Sequence, residues 1–576
     1  MSARSDVVRE ALGRTDRNGV HQYDWRLTGS NLDSLVKLVL PPGGVLPVIF
    51  VPGIMGSNLK SRTGDDKVWR LDSGVGNIPT KVAKRWLGRS AGARQAALHP
   101  GRVLVDSDGD TPDERAGSVF DIADYKRRGW GEVAETSYHA FLIWLEKSLN
   151  GEGFNPYYWK DFTFTQFRAA GPRPAPGQPG HVPEKLPPGI AMSMRESPGG
   201  AEKGKYLDPV MSDDLLKRAK FRMPVYACGY NWLASNEDAA ARLRARILQV
   251  IQENNRNGLK CQQVIVVTHS MGGLVARRCA MLAGMGEAIA GIVHGVMPTV
   301  GAAVAYRRCK IGMWDEDWKA GMAIGNDGRQ TTAVFAQAPG ALQLLPTSEY
   351  RKGWLKVLDA SGRSLEVQPS GDPYTDIYLR RDRWWGLVRE EWLKPRNGVP
   401  ISWNEFAKNI DAAKTFHNTI RAQYHGCTYV YYGDDRKQKS FETVAWKLKP
   451  GLRPDNKVPG ADHVRQMGYG SVRDYGSNPV YVGGRLESTA GAGTWGGAQT
   501  YESSYWELHC DLQDGAGDGT VPASSGRHPM HNGGARIRQQ FKLGGFGHEP
   551  SFSDPVAQRA TLYSIVKIAS LAKAYA

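Results

Sequence analysis

The chain has 576 residues, and its 74 Lys and Arg against 58 Asp and Glu give a formal net charge of +16. Hydrophobic residues make up 41% and charged residues 23%, a globular composition that excludes a disordered or fibrous chain. No run approaches the ~20 apolar residues that a membrane-spanning helix needs. The polar N-terminus lacks the apolar stretch of a signal peptide, which predicts synthesis in the cytoplasm without one.

The six cysteines are scattered and form no CxxC pair, so neither a disulfide framework nor a zinc site is predicted. The positive charge is compatible with simple solubility, with nucleic acid or with an anionic membrane surface. The sequence has no zinc-finger spacing, no RNA-binding signature and no basic heptads, which argues against nucleic acid. The 17 Trp residues suit the water–lipid interface better.

Apolar runs and helical periodicities alternate in the first half of the chain. Runs at 45–51 and 221–228 predict strands. Ser235 then opens a helix with an apolar face at helical spacing, and Gly258 ends it. Residues 264–267 follow as a β-branched run, which is typical of a buried strand.

The same alternation continues to the C-terminus. A helix to about Leu282 is followed by strand-like runs at 292–296, 427–432 and 537–543, and a terminal helix opens at 554–555. This order predicts the α/β class, with a mainly parallel sheet and crossover helices.

The strand–turn–helix around Ser270 carries the strongest chemical signal. Residues 268–272 match the Gly-x-Ser-x-Gly nucleophile elbow except at the first position, where Thr268 stands instead of glycine. In such an elbow a strained turn projects the serine hydroxyl above the sheet. The helix after it offers N–H groups and a positive dipole end to developing negative charge. Ser270 is therefore the predicted nucleophile.

A serine nucleophile needs a histidine base. Among the histidines after Ser270, only His548 lies between the last predicted strand and the last helix, where the sheet edge would deliver a base. His528 and His531 precede that strand and are the alternatives. We predict His548.

The base needs a carboxylate that orients it. Asp518 lies in a Gly-Asp-Gly turn, where the glycines allow a sharp bend that points a short carboxylate inward. Asp514 is its neighbour and competitor, and Asp434 and Asp435 after the strand at 427–432 are a separate alternative.

An oxyanion intermediate needs two hydrogen-bond donors. The backbone N–H of Met271, directly after the nucleophile, is the first predicted donor. The second should come from the loop after an early strand, and in the sequence VPGIMGS at 51–57 we select the N–H of Ile54.

The ordered set VPGIMGS, CGYNWLAS, VVTHSMGGLVAR, GVMPTVGA, TYVYYG, GDGTVP and a late GH resembles the lecithin:cholesterol acyltransferase and GPI-inositol-deacylase branch of the α/β-hydrolases. In that branch a strand ending in YG leads into an excursion before the acid in GDGTV, which favours Asp518 over Asp434. The large insertions, the missing signal peptide and the basic charge also resemble bacterial type VI secretion lipase effectors with a GPI-deacylase-like core.

The resemblance implies an α/β-hydrolase core with large cap or lid insertions, and a serine lipase or phospholipase that cleaves acyl esters of membrane phospholipids without metal or cofactor. It also implies type VI delivery into a rival cell's periplasm and a cognate immunity protein. The alternatives are an acyltransferase, an esterase on another ester, or a catalytically dead hydrolase that binds lipid or protein.

Three long insertions interrupt the predicted core. The core segments are 1–59, 216–301 with the elbow, 426–434 with one strand, and 511–576 with acid, histidine and last helix; the insertions are 60–215, 302–425 and 435–510. A Pro- and Gly-rich stretch at 171–189 and a GxGxxG at 491–496 are predicted to be loops, because no strand–helix context surrounds the latter.

The insertion at 302–425 is suited to be a mobile cap. Its segment 380–394 combines Trp with Arg and Lys, as in helices that lie on anionic lipid, so peripheral membrane contact is one interpretation. The other is that the Trp rings pack inside the cap. The acidic stretch 106–110 lacks the Gly and Glu that a calcium loop of the EF-hand type needs, so no metal is predicted.

Overall fold

The computed structural model describes a large part of the chain. The described residues are 8–15, 21–23, 35–39, 44–70, 86, 88–112, 123–150, 191–192, 214, 217–218, 220–257, 259–313, 324–452, 457–483, 485–489 and 499–573. The predicted loops at 171–189 and 491–496 lie outside them.

The strands are β1 (Val8–Thr15), β2 (His21–Tyr23), β3 (Leu35–Val39), β4 (Gly44–Val45), β5 (Val48–Val51), β6 (Leu59–Ser61), β7 (Lys67–Trp69), β8 (Val103–Val105), β9 (Ala191–Met192), β10 (Phe221–Arg222), β11 (Val225–Ala227), β12 (Val264–His269), β13 (Ile289–Gly295), β14 (Leu355–Leu358), β15 (Ser364–Gln368), β16 (Thr428–Gly433), β17 (Asp435–Ser440), β18 (Val444–Pro450), β19 (Val472–Arg473), β20 (Val480–Val482), β21 (Arg485–Thr489), β22 (Gln499–Ser503), β23 (Trp506–Cys510), β24 (Gly515–Gly517) and β25 (Ile537–Leu543). The helices are α1 (Ala91–Ala97), α2 (Ala123–Arg127), α3 (Glu135–Asn150), α4 (Asn236–Arg256), α5 (Gly272–Ala280), α6 (Met285–Ala288), α7 (Val304–Ile311), α8 (Gly328–Phe335), α9 (Pro339–Leu342), α10 (Trp403–Ile420), α11 (Ala461–Gln466), α12 (Ala523–Arg527), α13 (Pro529–Asn532) and α14 (Pro555–Leu571).

The central element is a seven-stranded sheet in the order β11-β5-β12-β13-β16-β25-β9. The first six strands are parallel, and β9 pairs antiparallel with β25 at the edge. Parallel strands put their carboxyl ends at one edge of the sheet, so the segments after β5, β12, β16 and β25 meet there. The chain therefore has a mixed α/β fold with helices that flank a parallel sheet.

The sheet is covered on both faces. Alternate residues of β5 enter different cores: Ile49 and Val51 pack on the side of α4 and α5, whereas Val48 and Phe50 pack on the side of α3 and α14. A strand with two covered faces has no polar side, which is why β5 and β12 read as unbroken apolar runs in the sequence.

Local capping explains where two predicted helices begin. The Ser235 side chain accepts a hydrogen bond from the N–H of Glu237 at the start of α4, and Asp554 accepts two at the start of α14. Both predicted starts are confirmed. The predicted strand at 221–228 is instead two short strands, β10 and β11, because Pro224 lies between them and has no N–H to donate to a ladder.

Segments from two predicted insertions share a second sheet. Its order is β15-β14-β18-β23-β20-β19, and β14 and β15 come from 302–425 while the other four come from 435–510. The pairing of β14 with β18 is parallel. A parallel pair needs a long crossover, and the one here includes α10 and the core strand β16.

Three buried histidines stay neutral because burial disfavours the imidazolium ion. Burial lowers the pKa of His269 and His294 to about 3 and that of His417 to about 4. The neutral rings are hydrogen-bonded: His294 Nδ1 and the Thr268 hydroxyl share a hydrogen bond at 3.0 Å, and His417 Nε2 donates to the carbonyl oxygen of Gln343 at 2.8 Å.

These histidines predict a steep loss of stability in mild acid. Below pH 6.5 the unfolded chain binds a proton on each ring and the folded chain does not, so the unfolding free energy falls by about 1.4 kcal/mol per pH unit and histidine. We expect a combined fall of about 4 kcal/mol per pH unit between pH 6 and 5. Urea unfolding at several pH values measures it, and a flat profile in this window would contradict the expectation.

Candidate active site

The turn between β12 and α5 holds Ser270 in a strained backbone conformation. Its φ angle is 52°, in the left-handed region that residues other than glycine rarely adopt. Gly272 permits the close approach of strand and helix, since a Cβ there would lie 2.5 Å from the carbonyl oxygens of Val51 and Pro52. Thr268, the departure from the elbow pattern, is accommodated because its hydroxyl is buried against His294.

Ser270, His548 and Asp518 lie together at the carboxyl edge of the parallel sheet. The Ser270 hydroxyl donates to Nε2 of His548 at 2.8 Å, and Nδ1 of His548 donates to Oδ2 of Asp518 at 2.9 Å. Ser270 is 4% exposed and Asp518 is 1% exposed, so little water competes for these bonds. The geometry is that of a nucleophile, a base and a group that orients the base.

The Asp518 carboxylate is fixed from both sides. Its other oxygen, Oδ1, accepts hydrogen bonds from the N–H groups of Thr520 at 3.0 Å and Val521 at 2.7 Å. Gly433 at the end of β16 makes room for it, because a Cβ there would lie 2.8 Å from Cβ of Asp518. The carboxylate therefore has one oxygen left for the imidazole.

The competing acids have other partners. Asp514 accepts bonds from the backbone of Glu442 and Thr443 and from the Thr443 hydroxyl. Asp434 forms an ion pair with Lys542 at 3.0 Å. Asp435 accepts from the N–H of Gly545 at 3.0 Å, in the loop that carries His548, so it supports the base through the backbone.

The alternative histidines lie away from the serine. His528 is 3.7 Å from the carboxylate of Glu349, and the ring of His531 lies 6.2 Å from that of His528. Neither has a contact with Ser270 among the described residues.

The loop after β5 lies directly beside Ser270. A Cβ on Gly53 would be 3.0 Å from Cβ of Ser270. Two N–H groups of this loop are already used: that of Gly53 donates to the Tyr138 hydroxyl at 3.1 Å, and that of Gly56 donates to the Gly53 carbonyl. Within the described part of the chain, the N–H groups of Ile54 and Met271 have no acceptor, which leaves them available to an oxyanion.

Two residues of the site had no role in the sequence-based prediction. Tyr138, on α3 within the predicted insertion 60–215, donates to Nδ1 of His269 at 3.0 Å, and Nε2 of His269 donates to the carbonyl oxygen of His548 at 3.0 Å. No sequence signal marks Tyr138. His269 was visible as a neighbour of Ser270, but its partners are 131 and 279 residues away along the chain.

The Trp-rich segment 380–394 is not an interfacial helix in this structure. It consists of bends and a short 3-10 turn, and Trp384, Trp385 and Trp392 are at most 5% exposed. The rings are buried within the protein, in agreement with the second of the two interpretations. Among the described helices, none is both long and apolar enough to cross a bilayer.

The acidic stretch at 106–110 is neutralised by protein cations. Asp106 lies 3.1 Å from Arg70, and Asp108 lies 2.8 Å from Lys126 and 3.5 Å from Lys60. Across the described ranges, no group of three His, Cys, Asp or Glu side chains has a metal-binding arrangement.

Comparison with known proteins finds similarity to solved structures. No family model matches the chain, and no curated protein does. The crystal structure of the Tle4–Tli4 complex is similar over 92% of this chain and 99% of that chain, with 26% sequence identity and a TM-score of 0.67. Phospholipase PlaB from Legionella pneumophila matches 40% of this chain and 65% of its own at 11% identity, but the TM-score of 0.14 is too low to bear on the fold.

Proposed function

We propose that this chain is an α/β-hydrolase that cleaves acyl esters of membrane phospholipids, with Ser270 as nucleophile, His548 as base and Asp518 as the group that orients the base. The observation that carries the proposal is the hydrogen-bonded series from Ser270 through His548 to Asp518. Beside it lie the N–H groups of Ile54 and Met271, which have no acceptor among the described residues. The parallel sheet and the strand–turn–helix at Ser270 support the α/β-hydrolase assignment.

The proposed reaction has two stages. Nε2 of His548 takes the Ser270 proton while Oγ attacks the ester carbonyl carbon, and the N–H groups of Ile54 and Met271 stabilise the oxyanion. The imidazolium then protonates the departing alcohol, which leaves an acyl-enzyme. Water attacks this ester with the same base and releases the fatty acid. Side chains and backbone amides of this chain supply every group in the scheme.

We also propose that the chain acts as a type VI secretion lipase effector, delivered by that route into a rival cell's periplasm. The similarity to the Tle4–Tli4 complex over 92% of this chain supports it, together with the resemblance of the sequence to type VI secretion lipase effectors. That the similar protein is part of a two-protein complex supports a protein partner for this chain, which the resemblance to such effectors implies is a cognate immunity protein. The sequence motifs favour the GPI-inositol-deacylase branch within the hydrolases, and the charge of +16 suits attraction to anionic membranes.

Vesicle hydrolysis tests the proposed activity. The protein is mixed with vesicles of anionic and zwitterionic phospholipids, and the products are identified by mass spectrometry. We expect free fatty acid and lysophospholipid in equal amounts, and no product after pretreatment with a fluorophosphonate that modifies an activated serine. Acyl transfer to an added alcohol without fatty acid would instead favour an acyltransferase. Vesicle binding without any product would favour a lipid-binding protein and overturn the proposal.

A further inference from the structure

A second hydrogen-bonded series lies behind the proposed catalytic residues. It runs from the N–H of Gly53 to the Tyr138 hydroxyl at 3.1 Å, from there to Nδ1 of His269 at 3.0 Å, and from Nε2 of His269 to the carbonyl oxygen of His548 at 3.0 Å. The mechanism above does not use Tyr138 or the imidazole of His269. The series nevertheless connects the loop beside the oxyanion site to the backbone of the base.

The protons of this series can be assigned without ambiguity. The Gly53 N–H can only donate, so the Tyr138 oxygen accepts this hydrogen bond. The Tyr138 hydroxyl in turn donates a hydrogen bond to Nδ1 of His269. Nε2 of His269 then carries the remaining proton, and its partner, a carbonyl oxygen, can only accept. The ring is neutral in this arrangement, in agreement with the burial that lowers the pKa of His269 to about 3. Burial also raises the pKa of Tyr138, which keeps its hydroxyl protonated.

The loop that carries His548 needs an external anchor. It contains Gly544, Gly545 and Gly547, and glycines leave the backbone many conformations to lose. Gly545 is held by Asp435, and His548 itself is held at its carbonyl oxygen by His269. Without the second bond, the His548 carbonyl oxygen would keep only the longer hydrogen bond from the N–H of Ser551 at 3.4 Å.

The other end of the series holds the loop after β5, which carries the N–H of Ile54. Because the Gly53 N–H is committed to Tyr138, the next N–H, that of Ile54, remains for the oxyanion. Aromatic packing protects the series from water: the ring of Phe552 lies 5.0 Å from that of His269 and 4.9 Å from that of Tyr138. Hydrogen bonds in such a dry environment hold their geometry well.

We infer that Tyr138 and His269 are positioning residues. Through one continuous hydrogen-bonded series, they hold the loop that carries the Ile54 N–H and the base His548 in fixed positions relative to each other. The inference rests on the proposed hydrolase function. It assigns an active-site role to α3, a helix of the predicted insertion 60–215. A displacement of about 1 Å at reacting groups can cost about 100-fold in rate, so loss of either residue should act on kcat.

Isosteric variants separate the two halves of the series. In His269→Gln the side-chain amide can still donate to the His548 carbonyl but cannot accept from Tyr138. In His269→Asn the side-chain oxygen can accept from Tyr138 but does not reach His548. We expect Tyr138→Phe and His269→Asn to lower kcat 10- to 100-fold, with KM for vesicle lipid changed less than twofold. The kcat of His269→Gln should resemble that of Tyr138→Phe. The double variant with both of these substitutions should have a kcat no lower than either single variant.

Tyr306→Phe is the matched control. Tyr306 is equally buried, and its hydroxyl donates to the carbonyl oxygen of Trp385 at 2.9 Å, within the cap. Its loss should lower the thermal unfolding midpoint and leave kcat unchanged. Unchanged kcat in Tyr138→Phe, or an equal loss in Tyr306→Phe, would overturn the inference.

The rate of Ser270 labelling by a fluorophosphonate distinguishes failure of this inference from failure of the proposed function. If the wild type is labelled but does not cleave phospholipid, the substrate is wrong, and the labelling rates of the variants still test the positioning role. Equal labelling of wild type, Tyr138→Phe and His269→Asn overturns the inference alone. A wild type that is not labelled overturns the proposed function and this inference together.

Discussion

Replacing Ser270 with Ala is expected to lower the rate of phospholipid hydrolysis by about 10⁶-fold, the effect typical of removing a triad serine. His548 would keep its bond to Asp518, and the N–H groups of Ile54 and Met271 would remain. A residual rate of about 10³ to 10⁴ over the uncatalysed reaction is therefore expected from binding and oxyanion stabilisation. Fatty-acid release from vesicles over long incubations measures both numbers.

The loss of activity should not come with a loss of stability. Ser270 has a φ of 52°, a conformation that costs a residue with a Cβ free energy. Ser270→Gly removes the same hydroxyl and also this strain, so we expect it to be about 1 kcal/mol more stable than Ser270→Ala. Thermal unfolding of both variants checks the order.

Ser564→Ala is the control for these variants. Ser564 is a fully buried serine on α14, and its hydroxyl donates to the carbonyl oxygen of Ala560 at 2.7 Å. Its loss should cost stability but not activity. If Ser270→Ala kept wild-type turnover, the nucleophile would have to be another residue, and the proposed mechanism would be wrong.

The parts of the fold that the sequence predicts are those set by local chemistry. The β-branched run before Ser270 and the small residues after it determine a strand–turn–helix through neighbours in sequence alone. The start of α4 follows from Ser235 in the same way, and the terminal helix from Asp554. Parallel strands share their carboxyl edge, so the proximity of the segments carrying Ser270 and His548 also follows.

The parts that the sequence does not predict depend on distant partners. Asp514 and Asp518 lie at the two ends of the short strand β24, and only the three-dimensional course of the chain brings one of them to the imidazole. In the sequence, Tyr138 is an ordinary aromatic residue on a helix. Its contacts with Gly53 and His269 exist only because β5 and β12 place these two residues against it. The burial of Trp384 likewise results from the pairing of two insertions into one sheet.

Replacing Asp518 with Asn is expected to lower kcat by about 10⁴-fold, as when a triad aspartate becomes an amide. The Asn oxygen can still accept from Thr520 and Val521, so the turn should keep its shape. The amide N–H groups would then face Nδ1 of His548 and donate to it. This moves the imidazole proton to Nε2, which can no longer accept the proton of Ser270.

Asp514→Asn decides between the two candidate acids. Asp514 lies just before β24 and Asp518 just after it, but the Asp514 carboxylate contacts the backbone and hydroxyl of Thr443 and the N–H of Glu442. Its replacement should leave kcat within twofold of wild type, whereas Asp518→Asn should retain the wild-type thermal unfolding midpoint to within a few degrees. A larger loss of kcat in Asp514→Asn would reverse the assignment. Comparable small losses in both would mean that the orientation of His548 depends chiefly on its backbone, and therefore on His269 and Asp435.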